Sequence, residues 1–417
     1  MPAAAPPDTA DFRHAGPDPL SLALIDARNR TLQLLSRLAE AMGSPELQPP
    51  PGADACAMPP RWLAGHIGWF AERWIARHPQ RARGGAAGTP GPRLASLDAG
   101  ADEVWDPSLC PPARREAAAP AMAATRAYLL EVLEGTLDLL ERAEPSDDGL
   151  YFFRLALAHE ERRAEELIVL AQSQGWPLGL PPAEPAAVRP PLRMPATRWT
   201  LGGAGSGFCF AQETGAETQD VPEFEIDAQP VTWQQFCEFV DDGGYDRESL
   251  WLPEGWQWLQ AEGRRAPRHV AQIGLGHGAR AGGSVLQQRF GQTVRVAGTA
   301  AACHLAWWEA QAWARWAGRR LATEIEWEIA AETASLRGFR WGTVHEWTAG
   351  RLHAWPGWQP EVWSAGTDLD PVPAFGQARV RRGASHATSP RQRQVRARGF
   401  ALPGDDAAFV GFRTCAL

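Results

Sequence analysis

Between Trp176 and Pro195 the chain carries Pro177, Pro181, Pro182, Pro185, Pro190, Pro191 and Pro195. Proline has no N–H, fixes its own φ and drives the preceding residue out of the α region, so neither a helix nor a central strand runs through such a stretch. The segment reads as a stiff extended linker. It splits the chain into two units, as a length of 417 residues already suggests, because that is too long for one compact core. The expected partition is a disordered leader over 1–17, a helical bundle over 18–175, the linker over 176–195 and a second domain over 196–417.

The first unit has helical periodicity. Apolar residues recur at helical spacing from Leu20 to Leu38. A segment from Arg61 to Arg77 follows Pro59-Pro60, a common helix start. Leu129, Leu130, Val132, Leu133, Leu137, Leu139 and Leu140 mark a helix from Met122 to Ala143. The last runs from Asp147 to Gln174, with Ser146, Asp147 and Asp148 as cap candidates and Gly175 as its stop. The loops are long and rich in Pro and Gly, above all from Gly84 to Asp106. Four amphipathic helices make a bundle, and bundles build metal sites from facing helices.

Past the linker, strands are expected to be short and helices few. Ala306 to Ala317 is one helix, and Thr323-Glu324-Ile325-Glu326 is a capping box that opens another. The chain has 20 Trp against 3 Tyr, most of the Trp from Trp199 onward. An indole is costly to bury unless its N–H finds a partner. Such a content suggests short elements held by large side chains, with room for an aromatic pocket for a cation.

The net charge of −8 argues against a nucleic-acid or anionic-membrane surface. No apolar run approaches the roughly 20 residues of a membrane-spanning helix. The N-terminal stretch lacks the basic start and apolar core of a signal peptide, so a cytoplasmic protein is expected. Cys56, Cys110, Cys209, Cys237, Cys303 and Cys415 are scattered without a CxxC pair. A thiolate zinc site or a disulfide framework is therefore disfavoured, and free thiols are expected.

Two histidines sit mid-helix, His66 in Gly65-His66-Ile67-Gly68-Trp69-Phe70 and His159 in Leu157-Ala158-His159-Glu160-Glu161. Imidazoles from two helices of a bundle can converge on one metal ion, although a lone buried His is more often a hydrogen-bonded core residue. The small neighbours of His66 would let another element approach closely.

These segments resemble the two iron-ligand segments of the ergothioneine-type sulfoxide synthases. Further matches are Ile226 to Thr232, Asp241 to Tyr245, Trp316 to Glu324, Glu346-Trp347-Thr348 and Phe409 to Leu417. The ending and the Tyr151-to-His159 stretch look most like the selenoneine synthase branch. The resemblance implies an α+β protein: a DinB-like four-helix bundle, then a C-type-lectin-like domain of the formylglycine-generating-enzyme type, with the active site between them. It also implies an oxidoreductase that uses O2 and ferrous iron, Fe(2+), to join hercynine to a selenosugar or thiol donor, in selenoneine or ergothioneine biosynthesis. The cysteine-pair chemistry of the formylglycine-generating enzymes is disfavoured, because no cysteine lies between Cys303 and Cys415.

The departures bear directly on function. The family motif His-x3-His-x-Glu reads here His159-Glu160-Glu161-Arg162-Arg163-Ala164-Glu165. Arg163 stands where the second imidazole should share a helix face with the first. A guanidinium keeps its proton, cannot ligate a cation and repels one. His345 and His386 replace a Trp and a bulky apolar residue, and Arg398-Gly399-Phe400-Ala401 departs at its second and fourth positions. Three readings stay open. One is an iron enzyme using His66, His159 and Glu165 as a two-His-one-carboxylate set, with His345 or His386 as possible substitutes. Another is a catalytically degenerate paralogue that keeps the fold for binding or regulation. The third is an enzyme of another class working in the same cleft without iron. Expected substrate contacts are Asp405, Asp406, Trp347 and Arg398.

Overall fold

A computed structural model describes residues 11–49, 57–87, 93–181, 187–202, 207–274 and 284–417. Cys56 and most of the expected leader lie outside them. In the first unit, α1 (Pro17–Met42), α2 (Pro60–Trp74), α5 (Met122–Glu141) and α6 (Asp147–Gln174) pack as a bundle. The ends of α6 follow from its sequence. The Ser146 hydroxyl accepts from the Gly149 N–H, and Gly175 closes the helix at φ 71°.

The long connection between α2 and α5 is not all loop. It contains the short helices α3 (Ala101–Trp105) and α4 (Pro112–Ala118). Tertiary contacts hold α3, which is too short to be stable alone. Trp62 Nε1 donates to the Val104 carbonyl at 2.6 Å and Trp69 Nε1 to Asp102 at 2.7 Å. The indole of Trp105 lies so close to Gly65 that a Cβ there would meet it at 2.3 Å.

The second unit is built from short strands and four helices among the described residues. In chain order these are β1 (Leu192–Met194), β2 (Thr197–Gly202), β3 (Ala216–Val221), β4 (Phe224–Ile226), α7 (Trp233–Asp241), α8 (Pro253–Glu262), β5 (Val270–Gly274), β6 (Ser284–Arg289) and β7 (Gln292–Val296). Then come α9 (Trp307–Trp316), β8 (Arg320–Leu321), α10 (Glu324–Thr333), β9 (His345–Arg351), β10 (Arg379–Arg382), β11 (Arg398–Ala401), β12 (Val410–Phe412) and β13 (Thr414–Cys415). Sheet orders among the described residues are β1-β4-β13-β8, β11-β10-β9-β12, β2-β3 and β5-β6-β7. The β9–β12 pair is parallel, and it brings Val410 beside His345. The architecture is α+β, with bundle and sheet domain in the expected order.

Tryptophan serves mainly as core. Trp307, Trp313 and Trp347 donate their N–H groups to the carbonyls of Thr348, Gln235 and Leu305, which removes the cost of burying them. Buried ion pairs tie α10 to the sheet: Glu324 to Arg398 and Glu328 to Arg382.

The two domains share their core. One apolar cluster joins Leu63, Leu129 and Leu167 of the bundle to Trp233, Trp313 and Phe412, and also buries Trp176 and Leu178. The start of the Pro-rich segment is therefore a packed part of the interface rather than a free spacer. Polar contacts along α6 complete the joint. Tyr151 donates to Glu361 at 3.1 Å, Arg391 donates to Glu161 at 2.8 Å, and Gln172 donates to the Gln288 carbonyl at 2.8 Å while accepting from the Phe290 N–H at 3.0 Å.

Candidate active site

His66 and His159 come together as their helices predict. Their ring centroids are 5.2 Å apart, edge to face, and both rings are buried. His66 stacks on Trp62 and His159 on Phe70, at 4.9 and 3.7 Å. His66 Nδ1 donates to the Trp105 carbonyl at 2.9 Å, since a carbonyl can only accept. This is the role of α3: it fixes the His66 tautomer and leaves Nε2 as a lone pair.

Arg163 lies on the same face of α6, one turn beyond His159. Its Nε–H donates to His159 Nε2 at 3.1 Å. The lone pair that would bind a metal is thus already used by a guanidinium. Two carboxylates hold that guanidinium in place. Its terminal nitrogens meet both oxygens of Asp368 at 2.6 and 2.7 Å, and Glu166 at 2.6 Å. Asp368 belongs to the second domain, so the cation of Arg163 also clamps the domains together. Burial, then the Arg163 charge, depresses both imidazoles, His66 to about 3 and His159 well below its ordinary range. Burial by itself would raise the Asp368 carboxyl, but Arg163 holds it below the usual carboxylate range. The group borders a cavity of about 230 Å³ lined by His66, Trp69, Phe70, Arg163 and Asp368.

Glu165 is not part of this cluster. Its Oε1 accepts from His345 Nε2, Ser385 Oγ and Thr388 Oγ1, each at 2.9 Å. Burial alone would raise its carboxyl; these partners instead bring it down to about 2. The expected two-His-one-carboxylate set is therefore corrected. Six residues along α6 turn Glu165 about 120° away from His159, towards donors from β9 and the loop after β10. Among the described residues no group of three His, Cys, Asp or Glu side chains is arranged to hold a metal ion. The donor set present does not fit Fe(2+): two imidazoles remain, one of them already accepts from Arg163, and the neighbouring charge is positive. His386 joins neither group. Its Nδ1 meets the Thr343 carbonyl at 3.3 Å and its ring packs on Phe409.

Glu165 and His345 instead face a second, larger cavity of about 470 Å³ between the domains, with Phe210, Arg381, Phe400 and Asp405 on its walls. Of the expected substrate contacts, Asp405 borders this cleft and is exposed. The other three are corrected. Asp406 is buried and paired with Arg264 at 2.6 Å and Arg268 at 3.3 Å. Trp347 is wholly buried, its N–H spent on the Leu305 carbonyl. Arg398 reaches the cleft wall, but its guanidinium turns inward onto Glu324 and the carbonyls of Gln212 and His353, and lies over Trp355. Two contributors were missed. Asp368 gave no signal beyond an acidic loop, and Arg381 none beyond a basic strand.

Comparison with known proteins agrees with this architecture. The DinB superfamily model matches residues 23–171, and that of the sulfatase-modifying factor enzyme 1-like domain matches 186–343. Hercynine oxygenase of Mycolicibacterium smegmatis is 29% identical over 79% of this chain and 84% of its own length. That of Mycobacterium tuberculosis is 29% identical over 95% of this chain and 98% of its own. The formylglycine-generating enzyme of Streptomyces coelicolor is 32% identical over 44% of this chain and 60% of its own. No helix among the described residues is long and apolar enough to cross a membrane. The chain therefore joins a DinB-superfamily bundle to a sulfatase-modifying-factor-type domain and is similar along most of its length to the hercynine oxygenases.

Proposed function

We propose that this chain is a metal-independent relative of the hercynine oxygenases that binds a hercynine-type betaine in its interdomain cleft, Arg163 having taken the place of the family's cation. The observation that carries the reading is the Arg163 guanidinium on His159 Nε2, locked by Asp368 and Glu166. A fixed internal cation can do what a bound ion does structurally, joining α6 to the second domain. It has no empty orbital for O2 or for an imidazole, so it supplies no oxidation chemistry.

The cleft suits a zwitterion. Arg381 spends one N–H on the Phe400 carbonyl at 3.2 Å and has further donors for a carboxylate. The rings of Phe210 and Phe400 and the Asp405 carboxylate suit a trimethylammonium group. The test is calorimetric titration of the metal-free chain with hercynine, with Arg381→Gln and Asp405→Asn as comparisons. Saturable binding in the presence of chelator, weakened in both variants, supports the reading.

The second reading is a Fe(2+)- and O2-dependent synthase that forms a C–Se or C–S bond on hercynine, with a selenosugar or thiol donor. Two things favour it: the facing pair His66 and His159, and relatives along the whole chain that are named hercynine oxygenase. It requires Arg163 to leave both carboxylates. Stoichiometric iron after anaerobic reconstitution, lost in His66→Ala, together with a new C–Se or C–S product under O2, would establish it and overturn the first.

A further inference from the structure

A cavity of about 490 Å³ lies between the start of the Pro-rich segment and the β6–β7 hairpin, and shares no lining residue with the two cavities described above. Its walls are apolar over much of their extent, with Trp233, Phe290, Val294 and Phe409 among them. Set into these walls are polar groups that no described part of the chain satisfies.

Arg289 lines the cavity and is partly buried, and among the described residues its guanidinium has no hydrogen bond and no ion pair. Burial lowers the Arg289 pKa, and among the described residues the Cys303 sulfur opposes that. Gln287 is 5% exposed, and its Nε2 has no partner among the described residues. Both residues come from β6 at alternate positions, so both project from the same face.

Other lining residues supply acceptors. His386 gives its Nδ1 proton to Thr343, which leaves Nε2 as a buried lone pair with no described partner. His304 is 3% exposed and held by the backbone at Asp406 and Ala407, and its Nδ1 is likewise unpartnered. Burial depresses both rings, His386 to about 4, so they stay neutral acceptors. Cys303 contributes no nucleophile, because burial pushes its thiol up to about 12.

We propose that this cavity is a second ligand site, taking a small carboxylate with an apolar body and a hydroxyl or N–H donor at its far end. The carboxylate lies on Arg289 and Gln287, and the donor points to His386 and His304. The Arg289 guanidinium offers a carboxylate a charge-assisted contact. Gln287, His386 and His304 each bury a polar atom with no described partner, which is costly, and this ligand satisfies those three while pairing Arg289.

The test is calorimetric titration of the full chain with 4-hydroxybenzoate, its neutral amide 4-hydroxybenzamide, and benzoate. Saturable binding of the hydroxy acid is expected. The amide and benzoate should bind roughly 10-fold more weakly or worse, the scale of one charge-assisted or buried hydrogen bond. Arg289→Gln should abolish the preference for the acid over the amide, and Ala301→Trp, which fills the cavity, should abolish binding while the far-ultraviolet circular dichroism is retained. The proposal is overturned if no probe saturates, if acid and amide bind alike, if Arg289→Gln keeps the parent's preference, or if Arg381→Gln rather than Arg289→Gln removes it.

Discussion

Replacing Arg163 by histidine should convert the cluster on α6 from a salt-bridged clamp into an iron site, and the size of the change can be worked from the contacts. A divalent cation about 4 Å from a guanidinium is repelled by about 8 kcal/mol, taking about 4 kcal/mol per unit pair at an effective dielectric of about 20. The alternative is for Arg163 to swing away. Breaking a buried pair costs about 3–5 kcal/mol. Here the stranded carboxylates are partly wetted, Asp368 being 39% and Glu166 31% exposed, so about 2–3 kcal/mol is the fitting figure. The cheaper route sets the handicap, which corresponds to a factor between about 30 and 150 in Kd. Arg163→Gln removes that handicap. Arg163→His does so and adds an imidazole on the face of His159, so it should bind Fe(2+) at least about 30-fold more tightly than the parent. The assay is anaerobic competition against a chromogenic chelator, with metal quantified after gel filtration. If parent and Arg163→His bind iron within 3-fold of each other, both chains folded, the claim that Arg163 occupies the cation's place is wrong.

Other outcomes follow from the same contacts. Glu165 is held below its unfolded value of 4.5, down to about 2, so its contribution to stability is complete above about pH 4.5 and lost as pH falls towards 2. Urea midpoints should drop across that window in the parent and drop less in Glu165→Gln. Arg398→Ala should destabilise the fold by about 3–5 kcal/mol in denaturant, because it strands buried Glu324; a variant of parental stability with altered ligand affinity would restore Arg398 as a binding residue. Gly65→Ala should cost about 1–3 kcal/mol, since its methyl group would meet the Trp105 ring at 2.3 Å, and should raise proton exchange at the His66 ring, observed by NMR, as the Trp105 carbonyl is displaced.

Several features were legible before any coordinates, and for local reasons. The 3.6-residue periodicity locates α1, α2, α5 and α6. The Thr323 capping box opens α10 as read, with Thr323 accepting from the Glu326 N–H. The loss of a ligand at Arg163 needs no geometry, because a guanidinium has no lone pair to give. Helical spacing also places His159 and Arg163 on one face, and the small Gly65 signals a close neighbour without saying which.

Tertiary structure alone decided what meets that face. Asp368, 205 residues from Arg163, turns the lost ligand into a clamp. His345, 180 residues from Glu165, takes the carboxylate that the sequence assigned to iron. Trp347, Asp406 and Arg398 looked like pocket residues from their motifs, yet the Leu305 carbonyl, Arg264 and Arg268 after α8, and Glu324 of α10 draw them into the core. The physical reason is common to all of them. Spacing along a chain sets the direction of a side chain relative to its own helix or strand, whereas its partner, its burial and hence its charge state depend on which distant segment folds against it.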